Sequence, residues 1–123
     1  MANLSILEKN LKEAIVGESK ARKKYELYAE KALEEGFKGV SLLFHAISRA
    51  ETVHTHNHLR VMGGIKSTVE NLKVAIKGEH HEFTNMYPDF SKDAKEEGNK
   101  QAERSFDLAN QVEKIHHGLY EKP

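Results

Sequence analysis

Asn10 to Glu18 reads NLKEAIVGE and Asn71 to Glu79 reads NLKVAIKGE, identical at seven of nine positions. The correspondence continues down the chain. Glu30–Lys38 (EKALEEGFK) matches Lys92–Lys100 (KDAKEEGNK) at five of nine, and Glu51-Thr-Val-His54 matches Glu113-Lys-Ile-His116. The offset is 61 or 62 throughout, and the landmarks keep their order. The 123 residues are therefore one domain made of a duplicated unit. Ala, Leu, Glu and Lys fill long stretches, and only two prolines occur, one of them terminal, so each unit reads as helix. Glycines at 36, 39, 63, 64 and 98 punctuate the pattern. They predict four helices, roughly Ser5–Glu35, Gly39–Met62, Ser67–Glu97 and Asn99–Tyr120. Ser5-x-x-Glu8 and Ser67-x-x-Glu70 supply capping boxes at equivalent starts. Alternating β-branched and aromatic residues are missing, which argues against strands. The predicted fold is all-α: a hairpin over residues 5–62 and a hairpin over residues 67–120 within domain 1–123. The change of offset places an insertion between Glu79 and Lys92, near Pro88, to be absorbed as a π-bulge or a proline kink.

Composition excludes several functions. Lys+Arg and Asp+Glu are 19 each, a balance that argues against nucleic-acid binding. The absence of cysteine excludes disulfides, iron–sulfur clusters, thiolate zinc sites and a cysteine nucleophile. The longest stretch without Asp, Glu, Lys or Arg is ten residues, Gly39–Ser48, half of what a bilayer crossing needs. The N-terminus lacks an apolar signal core. The expectation is a soluble cytoplasmic protein with no membrane partner.

Each half carries one Gly-Glu on its first helix (Glu18, Glu79) and one Glu-x-x-His on its second (Glu51/His54, Glu113/His116). Residues three apart on a helix share a face, so each Glu-x-x-His aims a carboxylate and an imidazole the same way. Glu18 precedes Gly36 by 18 residues and Glu51 follows it by 15; Glu79 precedes Gly98 by 19 and Glu113 follows it by 15. In an antiparallel hairpin these groups share one height. Four carboxylates brought together repel unless cations neutralise them. Carboxylate oxygens with one imidazole per metal suit iron or manganese, with zinc as a possible substitute. One Glu from each of two helices plus Glu-x-x-His from two others matches the ligand pattern of ferritin-like di-iron bundles. Gly17 and Gly78, in helix interiors where Gly costs about 1 kcal/mol, suggest close helix approach beside the metals. Glu82, three residues after Glu79, is either a seventh ligand or a surface charge; its repeat counterpart is Ala21. Tyr25 and the offset-62 residue Tyr87 either donate hydrogen bonds into the site or form an aromatic core pair. The remaining histidines lack a repeat-matched arrangement. His54 and His58 are spaced to chelate, but His58 reads as a surface residue.

The stretches Gly17-Glu-Ser-Lys-Ala-Arg22, Ala50-Glu-Thr-Val-His54, Gly78-Glu-His-His-Glu82, Met86-Tyr-Pro88, Lys95-Glu-Glu-Gly-Asn-Lys100, Ala102-x-x-Ser-Phe106 and Val112-Glu-Lys-Ile-His116 resemble the di-iron domain of rubrerythrins. The resemblance spans nearly the whole chain. It implies two iron ions per site held by Glu18, Glu51, His54, Glu79, Glu82, Glu113 and His116, with Glu51 and Glu113 bridging. It implies that Glu82 exchanges with His54 as one iron moves with redox state, and that Tyr25 and Tyr87 support the ligands. It also implies reduction of hydrogen peroxide to water. Many rubrerythrins carry a C-terminal rubredoxin domain with four cysteines. This sequence has no cysteine, so the expectation is an external electron donor such as a rubredoxin-like protein. With five carboxylates on metal, the remaining surface is expected to be somewhat basic. The alternative function is a ferroxidase or iron-binding module without peroxidase turnover; a third reading is a metal-free helical dimer.

Ferritin-like bundles place their two hairpin turns at opposite ends. Helices of about 25 residues span roughly 38 Å. The linker, roughly Met62–Lys66, reaches at most about 17 Å. Either the bundle runs plainly up and down, or two chains exchange hairpins into a homodimer with two shared sites. The second is the preferred expectation.

Overall fold

Ser5 opens the first helix by accepting a hydrogen bond from the Glu8 N–H at 3.1 Å. This cap begins the computed structural model, which describes residues 5–122; the other residues of the expected domain 1–123 lie outside it. Helix α1 spans Ile6–Glu34 and α2 spans Lys38–Val61. Helix α3 spans Thr68–His81, a π-helical turn covers Glu82–Met86, α4 spans Tyr87–Glu96 and α5 spans Lys100–Glu121. Among the described residues there is no strand. None of these helices is long and apolar enough to cross a membrane.

The chain divides into two units, residues 1–65 and 66–123. They fall at the boundary between the two copies of the repeat, and each contains one helical hairpin. Ser67 makes the full capping box, its Oγ accepting from Glu70 N–H and the Glu70 carboxylate accepting from Ser67 N–H. The two hairpin turns are built alike. Gly36 adopts φ +86° and Gly98 φ +72°, the left-handed region that costs other residues about 1–2 kcal/mol. The following residue then donates back into the helix: Phe37 N–H to Ala32 O at 2.8 Å, and Asn99 N–H to Ala94 O at 2.9 Å. These repeat-matched turns fold each hairpin antiparallel.

Within the first unit the two helices meet on small residues. Ala29 and Ala32 of α1 and Ser41 and Ser48 of α2 are buried. Ser41 Oγ donates to Ala29 O at 2.8 Å and Ser48 Oγ to Arg22 O at 3.0 Å, so side chains of α2 anchor directly on the backbone of α1. A ring triad closes the turn end: Tyr25 packs on Phe44 at 5.8 Å between centroids, and Tyr28 on Phe44 at 5.4 Å. The second unit repeats it 62 residues later, with Tyr87–Phe106 at 6.2 Å and Phe90–Phe106 at 5.4 Å.

The insertion expected near Pro88 is the π turn. Tyr87 N–H reaches back five residues to Glu82 O, which accommodates the extra residue, and Pro88 stands in the first turn of α4, where its missing N–H is harmless. Within each hairpin the surroundings of Gly17 and Gly78 are open. A Cβ built on either meets nothing within 4 Å among the described residues, so neither glycine makes room for the other helix of its own hairpin.

Candidate metal centre

The antiparallel register of α1 and α2 brings Glu18 opposite the Glu51–His54 face. His54 Nδ1 lies 3.3 Å from Glu18 Oε1 and 3.9 Å from Glu51 Oε1. In the second hairpin His116 Nδ1 lies 3.7 Å from Glu79 Oε1 and 3.7 Å from Glu113 Oε2. In each triad one donor atom per residue falls within 4.8 Å of the other two. Donors bound about 2.1 Å from one ion lie about 3–4 Å apart, so both triads are spaced to close on a cation. The carboxylates are sheltered and the imidazoles more open: Glu79 is 16% exposed, His116 45%.

The triads fit a metal on a further ground. Glu79 Oε2 is buried and has no hydrogen-bond partner among the described residues. A buried carboxylate oxygen without a donor is costly unless a cation meets it. Glu18 Oε2 is buried likewise; His58 Nε2 stands 2.9 Å from it, but no N–H is aligned on it as a hydrogen bond.

Glu82 opens the π turn one helical turn beyond Glu79. Burial, and then the Glu79 carboxylate alongside, raise its carboxyl above its ordinary value. Two carboxyls crowded in this way favour a shared proton or a shared cation. The tight triad of the second hairpin does not itself include Glu82. Tyr25 and Tyr87 sit in the two aromatic triads, the alternative already open to them from sequence. Around the first site, Arg22 Nε donates to Thr52 Oγ1, tying α1 to the residue after Glu51. His117 turns away from His116, as neighbours on a helix do. It packs on Phe83 and His80, with its Nδ1 2.8 Å from Glu121 Oε1.

The sequence reading noted the spacing of His54 and His58 but took His58 as a surface residue; the structure sets it against the Glu18 carboxylate. It sits four residues after His54 on the same face of α2 and meets the same carboxylate. The i, i+4 spacing was the available signal. The reading missed the partners of the tyrosines, Phe44 and Phe106, although these occupy matched positions of the repeat.

A family model described as rubrerythrin matches residues 9–123. The chain belongs to the rubrerythrin family. Membership makes it a ferritin-like all-α protein, in agreement with its helical hairpins. This rubrerythrin-family chain is 34% identical to Rubrerythrin-2 of Clostridium acetobutylicum, over 90% of the chain and 68% of that protein. It is 33% identical to rubrerythrin of Nitratidesulfovibrio vulgaris, over 89% of the chain and 64% of that protein. Nigerythrin of the same organism is 35% identical, over 90% of the chain and 62% of that protein. A solved structure titled as the fully reduced, all-ferrous state of nigerythrin aligns with a TM-score of 0.47 at 31% identity, covering 97% of this chain and 66% of that one. The chain thus spans about two thirds of the length of the relatives it matches.

Proposed function

We propose that this rubrerythrin-family protein is a non-haem di-iron peroxidase, converting one hydrogen peroxide with two protons and two electrons into two waters. The observation that carries the reading is the pair of repeat-matched Glu/Glu/His triads, each with its donors within 4.8 Å. Glu18, Glu51, His54, Glu79, Glu113 and His116, with Glu82, would together hold the two iron ions. Two ferrous ions bound there supply the two electrons that cleavage of the O–O bond consumes. Iron is favoured over zinc, which has no redox change, and manganese would fit the same donors. A rubredoxin-like protein is the proposed external donor.

The residues of the chain handle position and protons. The carboxylates would hold the two cations. Glu82 would serve as a further carboxylate beside Glu79; burial first, and the Glu79 charge second, raise its carboxyl above its ordinary value. Tyr25 and Tyr87 would donate phenol hydrogen bonds from the site edge of the ring triads.

The complete site would be shared between two copies that exchange hairpins. Residues 62–67 between α2 and α3 reach about 21 Å at most, whereas α2 alone is about 36 Å long. Apolar side chains left exposed on both hairpins, among them Val16, Leu42, Val53, Val74, Val112 and Ile115, give a second copy a surface to cover.

The test is anaerobic. Protein loaded with Fe(II) is mixed with one equivalent of peroxide, or with O₂, and ferric absorption is followed. Peroxide should oxidise the iron at least tenfold faster than O₂, and Glu82→Ala should remove most of that preference. Equal rates, with iron accumulating beyond two per chain, would instead establish the ferroxidase reading.

A further inference from the structure

Helix α2 carries a basic stripe on the side turned away from its metal-facing residues. His45, Arg49, His56 and Arg60 follow one another at intervals of four, seven and four residues, with Thr52 in the gap, and all four are exposed. At about 100° per residue the stripe lies about 100–180° round the helix from Glu51, while His54 lies about 60° round in the other sense. Glu51 is the only acidic residue of α2, and it belongs to the triad. The ion pairs of this hairpin engage Arg22, Lys23, Lys31, His54 and His58, leaving Arg49 and Arg60 unpaired among the described residues.

Between the stripe and α1 runs a groove of about 520 Å³. Its lining includes Arg22, Lys23, Thr52, Thr55 and His56, and no carboxylate. The duplication does not account for this surface. The corresponding positions of α5, offset by 62, hold Asp107, Gln111, Lys114 and Gly118, where the charges are mixed. A cover laid over the metal face of α2 leaves the opposite face open, so the stripe stays accessible once the site is closed.

We propose that this stripe docks an acidic protein carrying a one-electron redox centre, the external donor of the reading above. The inference rests on that reading, which gives the chain no electron source of its own. A helix is about 10–12 Å across with its side chains, so a partner seated on the stripe stands one helix width from Glu51 and His54. Arg49 and Arg60, about 16 Å apart along the helix axis, meet carboxylates of the partner and steer its approach. Two reduced donors visiting in turn, each losing one electron, return two ferric ions to the ferrous state. A nucleic acid fits less well. Duplex binders of strong salt dependence make about 6–10 phosphate contacts, more than two arginines and two histidines supply.

The probe is an acidic bacterial rubredoxin with zinc in place of its iron, fluorescently labelled and titrated with the full iron-loaded chain. A labelled short DNA duplex is titrated in parallel, and anisotropy reads both. The wild type should bind the rubredoxin, with affinity falling at least tenfold between about 20 and 200 mM salt. Arg49→Glu with Arg60→Glu should weaken binding at least tenfold. Arg49→Gln with Arg60→Gln, which reverses no charge, should weaken it severalfold. Lys73→Glu with Lys77→Glu, the same charge change on exposed positions of α3, should stay within twofold of the wild type. A wild type that does not bind would overturn the proposal, as would stripe variants no weaker than the α3 variant. Duplex bound more tightly than rubredoxin, and lost in the stripe variants, would overturn it in favour of a nucleic-acid surface. No turnover enters this readout. A failed titration leaves the comparison of peroxide with O₂ standing, and failure of that comparison leaves the titration to judge the stripe.

Discussion

His54 Nδ1 stands 3.3 Å from Glu18 Oε1, joining the middle of α2 to the middle of α1. Nothing in the local backbone requires the contact. It exists because the Gly36 turn and the serine anchors set the register of the hairpin. Removing either partner should therefore leave the fold and take the metal. For Glu18→Ala or His54→Ala, bound iron should fall from about two to about one per chain, as for the loss of one position of a di-iron pair. The thermal midpoint of the metal-free variant should match or exceed that of the metal-free wild type, because Glu18→Ala relieves carboxylate crowding. Elemental analysis and melting curves on the same preparations check both.

Much of this was legible in the sequence, and for a definite reason. Duplication writes each functional position twice, so Glu18/Glu79, Glu51/Glu113 and His54/His116 stand out from other charged residues, and Gly36/Gly98 mark the two turns. His58 and Glu82 carry no such duplicate, and only the coordinates show that each lies beside a repeat-matched glutamate. Gly17 and Gly78 show the opposite case. They are duplicated, yet their neighbourhood is open within the described residues, so the repeat signalled importance without revealing its cause. Tyr25 and Tyr87 were conspicuous, but their ring partners Phe44 and Phe106 lie on another helix, where sequence spacing says little about contact.

Glu82 sets a pH dependence. Burial first, and the Glu79 charge second, hold its carboxyl above its ordinary 4.5. A group whose folded value is raised contributes stability that is fully present below the unfolded value and is lost as pH rises through the folded one. Wild type and Glu82→Gln should therefore be equally stable in the metal-free state well below pH 4.5, where Glu82 is neutral in both folded and unfolded chains. Above it the Gln variant should gain, and its advantage should stop growing once the folded-state Glu82 is fully ionised. Melting curves at a series of pH values measure the difference. A constant difference across the series would contradict the assignment of Glu82 to a crowded site.

Ser48 is 3% exposed and donates to Arg22 O at 3.0 Å, one turn from the Glu51–His54 face. Ser48→Ala removes one hydrogen bond and little volume. It should cost about 0.5–1.5 kcal/mol and leave metal binding intact. Ser48→Leu must push α2 away from α1 to fit its side chain, costing about 1–3 kcal/mol. It should also separate His54 from Glu18, so that metal affinity falls although no ligand is touched. Urea midpoints and cobalt titration of the two variants distinguish lost hydrogen bonding from lost register.

Hairpin exchange makes a prediction that no single-chain bundle shares. One variant carries Glu18→Ala and His54→Ala, disabling its first hairpin; the other carries Glu79→Ala and His116→Ala, disabling its second. Neither alone can assemble a complete site in either arrangement. In a mixed dimer with exchanged hairpins, the intact first hairpin of one chain meets the intact second hairpin of the other. The remaining site combines both defects. Co-expression followed by purification through two different affinity tags should therefore recover one full di-iron site per mixed dimer, about half the wild-type peroxide-dependent signal. If each chain closed its own bundle, every site in the mixture would lack one triad and the signal would stay at the level of the single variants. The comparison depends on which hairpins share a site, so it decides the question even if the donor protein proves different from the one proposed.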